Sequence, residues 1–470
     1  MFLKVMKKLT NFFFFLFCTF CADSQTLSFK GNLENQFKSE ISFSNTDLNW
    51  SIQPRIFTSI ITSNKYTVNH VSLFGLGIKT NYSKKLRIIA SYDKLDGEYN
   101  YVINNYQDSL GIYYPSFGLS NTRLQFNVRY LTNKFITLDF GRDKHFIGNG
   151  YQSLLLSNLA SAYPYFKVTT KFGPIKYYNL YTTFINSDMV DNGRKKHSTM
   201  HYLDLAINNS INIGVFESIL WQSRSEEVNT GYEIAYLNPV IFYRPVEFSK
   251  QSSKGNALMG ANFNARLKNT MIYGQIVLDD LNISRQKDTD ENYTGGFFQN
   301  KYGFQFGIRY KNKGFNSLFE YNQVQPYTYG HRTILQNYSH SNQALAHPLG
   351  ANFKEFIGLL ELSNKRLTYK VKSIFTRVGL DSLNTHYGQN IFESDLDAST
   401  GGQYSYGNFN GQGVSTLIFS LQSEISYKLK DLDLFFSLLF RKKISDIHDQ
   451  KVFFFSIGLR TFLFSNLPDY

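Results

Sequence analysis

The feature that most limits the fold of this chain is a period-two pattern. In Arg123–Tyr130, Leu124, Phe126, Val128 and Tyr130 alternate with Arg123, Gln125, Asn127 and Arg129. Ile136, Leu138 and Phe140 alternate with Thr137, Asp139 and Gly141, and Phe304, Phe306, Ile308 and Tyr310 with Gly303, Gln305, Gly307 and Arg309. Segments 86–92, 203–207, 261–267, 367–375, 425–429 and 434–440 repeat the theme. Successive side chains of a strand point to opposite faces, so each segment reads as a strand with one apolar and one polar face.

Two environments accept such strands. A soluble sandwich buries the apolar face and exposes the polar one; a membrane barrel turns the apolar face to lipid and the polar one to a wet lumen. Three features favour the barrel. Charged and amide residues recur on the polar faces throughout the chain. Many strands have the length that a tilted strand needs to cross a bilayer. Short turns such as Thr132–Lys134 contrast with long polar loops, expected over Asp93–Ser120 and Asp381–Gly413. The final stretch places Phe453, Phe455, Ile457, Leu459, Thr461 and Leu463 on one face before the chain ends at Tyr470. At roughly 25 residues per strand and connection, the expected fold is all-β: a transmembrane antiparallel barrel of about 18 strands (about 16–20). Irregular segments plug or line its lumen.

The start of the chain predicts export. Lys4, Lys7 and Lys8 precede an apolar run over 9–20, too short to span a bilayer and suited to a signal peptide. Ala22 and Ser24 suit cleavage after Ser24, giving a leader over 1–24 and a single barrel domain over 25–470. Phe20 before Cys21 argues against lipoprotein processing. Cys18 and Cys21 form a C-x-x-C inside the leader, so the mature chain has no thiol and no disulfide. The formal charge of +13 includes three leader lysines and Asp23, so the mature chain stays about +11 and favours anionic partners. The basic residues are scattered among apolar ones, which gives no nucleic-acid motif. The expected location is the outer membrane of a Gram-negative bacterium. The expected partners are outer-membrane lipid, the barrel-insertion machinery and surface polysaccharide.

The stretch Gln325–Glu355 departs from the pattern. It carries three of the nine histidines, His331, His340 and His347, interleaved with Tyr327, Tyr329 and Tyr338, and is punctuated by Pro326, Gly330, Pro348 and Gly350. Three readings stay open. As metal ligands, the histidines are irregularly spaced with only Glu355 as a near carboxylate, and no metal or cofactor is assigned. As a carbohydrate platform, the rings offer flat faces and the imidazoles offer hydrogen bonds. As a packed segment, these side chains satisfy one another and the backbone inside the barrel. Gly148-Asn149-Gly150 is only a fragment of a phosphate-cradling loop; a tight turn leading to a short inward helix over Ser153–Leu159 is expected there. Arg244 and Glu247 are expected to pair in the lumen, with an anion contact by Arg244 as the alternative. Acidic loops at 188–191 and 288–291 lack the ligand spacing of a calcium loop. No G-x-S-x-G, H-E-x-x-H or nucleophile with a base and orienter stands out, so no enzyme activity is expected.

Three segments together carry a family resemblance. They are Gly141–Lys167, GRDKHFIGNGYQSLLLSNLASAYPYFK; Tyr236–Phe248, YLNPVIFYRPVEF, with Gly255-Asn256-Ala257; and His340-Ser-Asn-Gln with Leu345-Ala-His-Pro-Leu-Gly-Ala-Asn-Phe. Over roughly residues 120–470 the chain resembles the Wzi-type capsule-assembly barrels, in the branch that includes gliding-motility-associated members. Gly148, Gly150, 153–157 and Pro164 match the best-known segment, whose Trp-Gly-Pro-Gly-like start is replaced here by Phe146-Ile147-Gly148-Asn149-Gly150. The resemblance implies an 18-stranded barrel that binds surface polysaccharide at the outer leaflet. The candidate glycan-binding residues are Tyr327, Tyr329, His331, Tyr338, His340, His347 and Arg244. The alternative function is an outer-membrane channel or porin for small solutes.

Overall fold

The computed structural model describes residues 29–31, 41–44, 48–63, 68–99, 101–186, 195–223, 231–232, 234–239, 255–280, 300–382, 385–395, 408–447 and 449–462. The proposed leader, Arg244 and Glu247, the two acidic loops and the last eight residues lie outside them. Eighteen antiparallel strands, each beside its neighbours in sequence, close into one barrel. The first strand, Leu48–Ser63, meets the last, Gln450–Arg460, through register pairs from Phe57↔Arg460 to Ser63↔Phe454. The last strand does not reach the beginning of the first. There Ile41–Ser44 pairs with residues 49–52 instead, covering backbone groups that would otherwise form an open edge.

The alternation decides which side of the wall each residue takes. Gln53, Arg55, Asp93, Gln125, Asn322 and Glu355 point inward and are buried. Phe74, Phe140, Phe306, Phe356, Leu421 and Ile457 point outward and are exposed. A band of bare aromatic and aliphatic side chains has no solution in water; in a bilayer it is the surface that lipid wets. Among the described residues no helix is long and apolar enough to cross a membrane.

The two ends differ. At one end, tight turns link the strands, several of two residues, with positive φ at Lys268, Lys365, Lys430, Gly173 and Gly314. At the other end, connections over 98–121, 144–162, 325–352 and 381–413 are long. Three expectations need correction. Asp93 does not open a loop: its strand, Leu86–Gly97, continues inside the barrel, and the connection that follows carries the helix Tyr101–Leu110. No helix forms over 153–159: Ser153 Oγ accepts from Leu155 and Leu156 N–H as a helix cap would, but Leu156 is held in a β-bridge to Ile147, whose N–H donates to Leu156 O at 2.9 Å. The final strand stops at Arg460, where Thr461 turns away and donates through Oγ1 to Pro54 O, 2.9 Å.

Candidate functional site

The long connections at 98–121, 144–162 and 325–352 turn into the barrel and plug its loop-end part. Only short ladders form within them, His145–Ile147 with Phe29–Gly31 and Ser339–His340 with Gln343–Ala344, so most of their polar groups need partners from the wall. Strands 270–280, 301–312 and 315–324 supply them. Gln275 Oε1 accepts from Leu154 N–H at 2.8 Å, and its Nε2 donates to Ile147 O at 2.9 Å. Gln305 Nε2 donates to Gln152 O at 3.0 Å, and Arg309 Nη2 to Asn149 O at 2.9 Å. Glu320, 3% exposed, accepts four bonds: Tyr151 N–H at 2.7 Å, Gln152 N–H at 3.1 Å, Tyr273 O–H at 2.7 Å and Asn322 Nδ2–H at 2.9 Å. The expected tight turn at 148–150 is there because the wall is so close. A Cβ on Gly150 would run into Glu320, and one on Gly148, at φ +128°, into Gln275.

The stretch 325–352 packs on the back of this loop. Tyr329 and Tyr338 stack with centroids 5.9 Å apart, and their hydroxyls donate to Leu154 O and Leu155 O, both at 2.7 Å. Each is 1% exposed. Burial raises both phenols well above their ordinary range. Tyr327 donates to His386 O at 2.9 Å. The three histidines take separate partners. His331, half-buried, accepts from Thr333 N–H; His340 accepts from Ile185 N–H at 3.1 Å and packs against Tyr163 and Phe184. His347 lies on Phe353 and meets Glu355 at 2.9 Å. The buried Lys196 ammonium donates to Asn337 and Ser339. The segments also hold one another: Asn342 Nδ2 donates to Leu110 O, and Ser161 Oγ to Pro115 O. On the wall behind 98–121, Asp93 sits between Arg55 and Arg123, each 2.6 Å away.

Burial pushes His340 down to about 3, and the nearby cations Lys196, Arg142 and Lys144 add to the shift. The docked segment therefore holds a neutral imidazole, while the released one takes a proton at the ordinary histidine value of about 6.5. The released state binds more protons, so docking is strongest above pH of about 6.5 and weakens as pH falls toward 3. Limited proteolysis of the assembled barrel should cut within 325–352 faster at pH 4 than at pH 7, and a His340→Gln variant should lose most of that difference. Equal rates for the native chain at both pH values would remove His340 as the sensor.

One connection goes the other way. Residues 231–232 and 234–239 drape over the outside of strands 175–185, 195–206 and 211–222. Trp221 Nε1 donates to Gly231 O, Tyr181 O–H to Leu237 O at 3.1 Å, and Tyr177 O–H to Pro239 O at 2.7 Å. Trp221 packs against Tyr232 and Tyr236 at 5.1 and 4.8 Å. Asn179, His201 and Glu217, which point outward at mid-strand, are buried there. The sequence carried one signal of this: polar residues on faces where the alternation asks for apolar ones. The part of Tyr236–Phe248 that is described thus lies on the outer wall, not in the lumen. A second group missed by sequence is Asp381, His386 and Glu393, whose ligating atoms lie within 4.8 Å of one another. A single N–H on His386 Nδ1, 3.2 Å from Asp381 and 3.5 Å from Glu393, accounts for the arrangement.

No protein-family model matches the chain, and no curated relative does. Among solved structures the chain is similar to Wzi of Escherichia coli, an outer membrane protein involved in group 1 capsule assembly and described as a carbohydrate-binding β-barrel. The identity is 14% and the TM-score 0.55, over 88% of this chain and 85% of that one. OprD of Pseudomonas aeruginosa aligns at 12% identity and TM-score 0.46, over 93% of this chain and 98% of that one. OccAB1 of Acinetobacter baumannii aligns at 11% and 0.46, over 89% and 97%. At such identities the Wzi likeness is one of fold. Together with the bare apolar belt and the closed ladder, it makes this chain an 18-strand barrel of the outer-membrane type.

Proposed function

We propose that the protein is a non-enzymatic, Wzi-type outer-membrane barrel that holds surface polysaccharide at its loop end and does not pass solutes. The observation that carries this reading is the plugged lumen: three chain segments, tied to the wall and to each other, cross the space a porin leaves open. What such a barrel offers its surroundings is its loop-end surface. The basic chain favours an acidic polymer, and the carbohydrate binding described for the E. coli barrel supports the class of ligand. Tyr329, Tyr338, His340 and His347 then hold the plug, and exposed Tyr113, Arg332 and Phe409 face the polymer.

Planar-bilayer recording of the intact protein should show no steady conductance. A combined Tyr113→Ala, Arg332→Ala, Phe409→Ala variant should assemble as a heat-modifiable barrel and shed polysaccharide from the cell surface. Each stacking ring contributes about 0.5–1.5 kcal/mol beyond its area, and contacts repeated along a polymer reinforce one another, so the three changes are combined. Large steady conductance would move the protein to the channel class. Normal retention by the assembled variant would sink the assignment of the loop end.

A further inference from the structure

On the turn side of the plug, the wall has a different character. Arg309 and Lys372 meet the plug at Asn149 O and Tyr151 O–H, which marks its tip. Below that tip, strands 68–82 to 175–185 turn Lys79, Arg87, Arg129, Lys167, Lys171 and Lys176 inward. Lys79, Arg87, Arg129 and Lys176 are half-buried and Lys171 is exposed, so water reaches them. Two of the cross-strand pairs are like-charged: Arg87 lies directly opposite Arg129, and Lys171 directly opposite Lys176. Like charges directly opposite each other in a sheet are destabilising. Among the described residues, two inward carboxylates stand within this group, and the first, Asp139, holds Arg129 at 2.7 Å and Lys167 at 3.8 Å. The next, Asp204, is the register partner of Lys176.

We propose that the turn-end half of the lumen is a binding site for a diphosphate group. Neighbouring cations set in register suit a ligand whose negative charges are equally close together. Arginine also forms paired hydrogen bonds to phosphate oxygens. The wall around the group is low in dielectric, which strengthens the attraction for an anion drawn into the cavity. The site lies on the opposite side of the plug from the polysaccharide surface, so it stands or falls separately from that reading. The group arrives either on a soluble molecule or on the end of a lipid.

The test uses the full mature barrel in detergent, with inorganic diphosphate as the probe and thermal unfolding and titration calorimetry as readouts. Millimolar diphosphate should raise the unfolding temperature, and added salt should cancel the rise. The Arg87→Gln variant and, separately, a Lys171→Gln, Lys176→Gln variant should bind about tenfold more weakly or worse. Competition by a prenyl diphosphate in micelles assigns the group to a lipid, and lack of competition assigns it to a soluble molecule. No binding of either probe by the native barrel, or full binding by both variants, would overturn the proposal.

Discussion

Placing an arginine at Phe306 should stop the barrel from assembling. Phe306 is at the middle of strand 301–312, points outward and is 53% exposed. Its outward neighbours on the same strand, Phe304 and Ile308, are also exposed, so an arginine there finds lipid and no protein partner. The cost of arginine on the lipid face near the midplane is about 2–4 kcal/mol. Against the 5–15 kcal/mol or so that holds a typical native protein together, that is a large share. Heat-modifiable mobility and membrane integration are the readouts, and both should fall sharply. The same substitution at Gln422, which faces the lumen and is half-buried, should be tolerated. Normal assembly of the Phe306→Arg protein would refute the lipid-facing assignment of this face.

The second large effect is expected at Glu320, and it should leave the barrel standing. Its carboxylate accepts four hydrogen bonds, two of them from plug backbone. Bonds to a charged group contribute about 1.5–3 kcal/mol each, and removing the acceptor leaves buried donors unmet. The strand ladder uses none of these bonds, so Glu320→Ala should release the plug tip while the wall stays closed. Bilayer recordings should then show openings absent from the native protein, and protease should cut near Gly150. Glu320→Gln should be milder: its amide oxygen still accepts, but its amide nitrogen faces donors. If Glu320→Ala conducts no more than the native chain, the tip at 148–152 is not what seals the lumen.

The wall was legible in the sequence and the plug was not, for one physical reason. Lipid and lumen impose opposite chemistry on alternate residues, so Leu124 and Gln125 announce their sides of the sheet without reference to anything distant. The plug is defined by contacts far apart in the chain. Tyr329 and Tyr338 meet the carbonyls of Leu154 and Leu155, 175 and 183 residues away. Composition set 325–355 apart from the alternating strands, although Phe353–Glu355 prove to be the start of the strand Phe353–Asn364. It could not show that the flat faces of its tyrosines are spent on each other. The same ambiguity hid the outer cover, since Tyr236–Pro239 is as aromatic and irregular as the plug. Asp93 was misplaced because a charged residue after an apolar run resembles a loop start. Inside this barrel the same residue is a bridge between Arg55 and Arg123.

The cover formed by residues 231–232 and 234–239 has a consequence for how the molecule meets its surroundings in the plane of the membrane. Around most of the circumference, acyl chains lie against rings and branched aliphatics and can slide past them with little preference. Over strands 175–222 they meet irregular backbone that shields Asn179, His201 and Glu217. Lipid gains least on that side and loses least when it leaves. Seen from above, the molecule has a front and a back, and in a crowded leaflet this asymmetry sets the side from which a neighbour can approach without stripping hydrocarbon from aromatic rings.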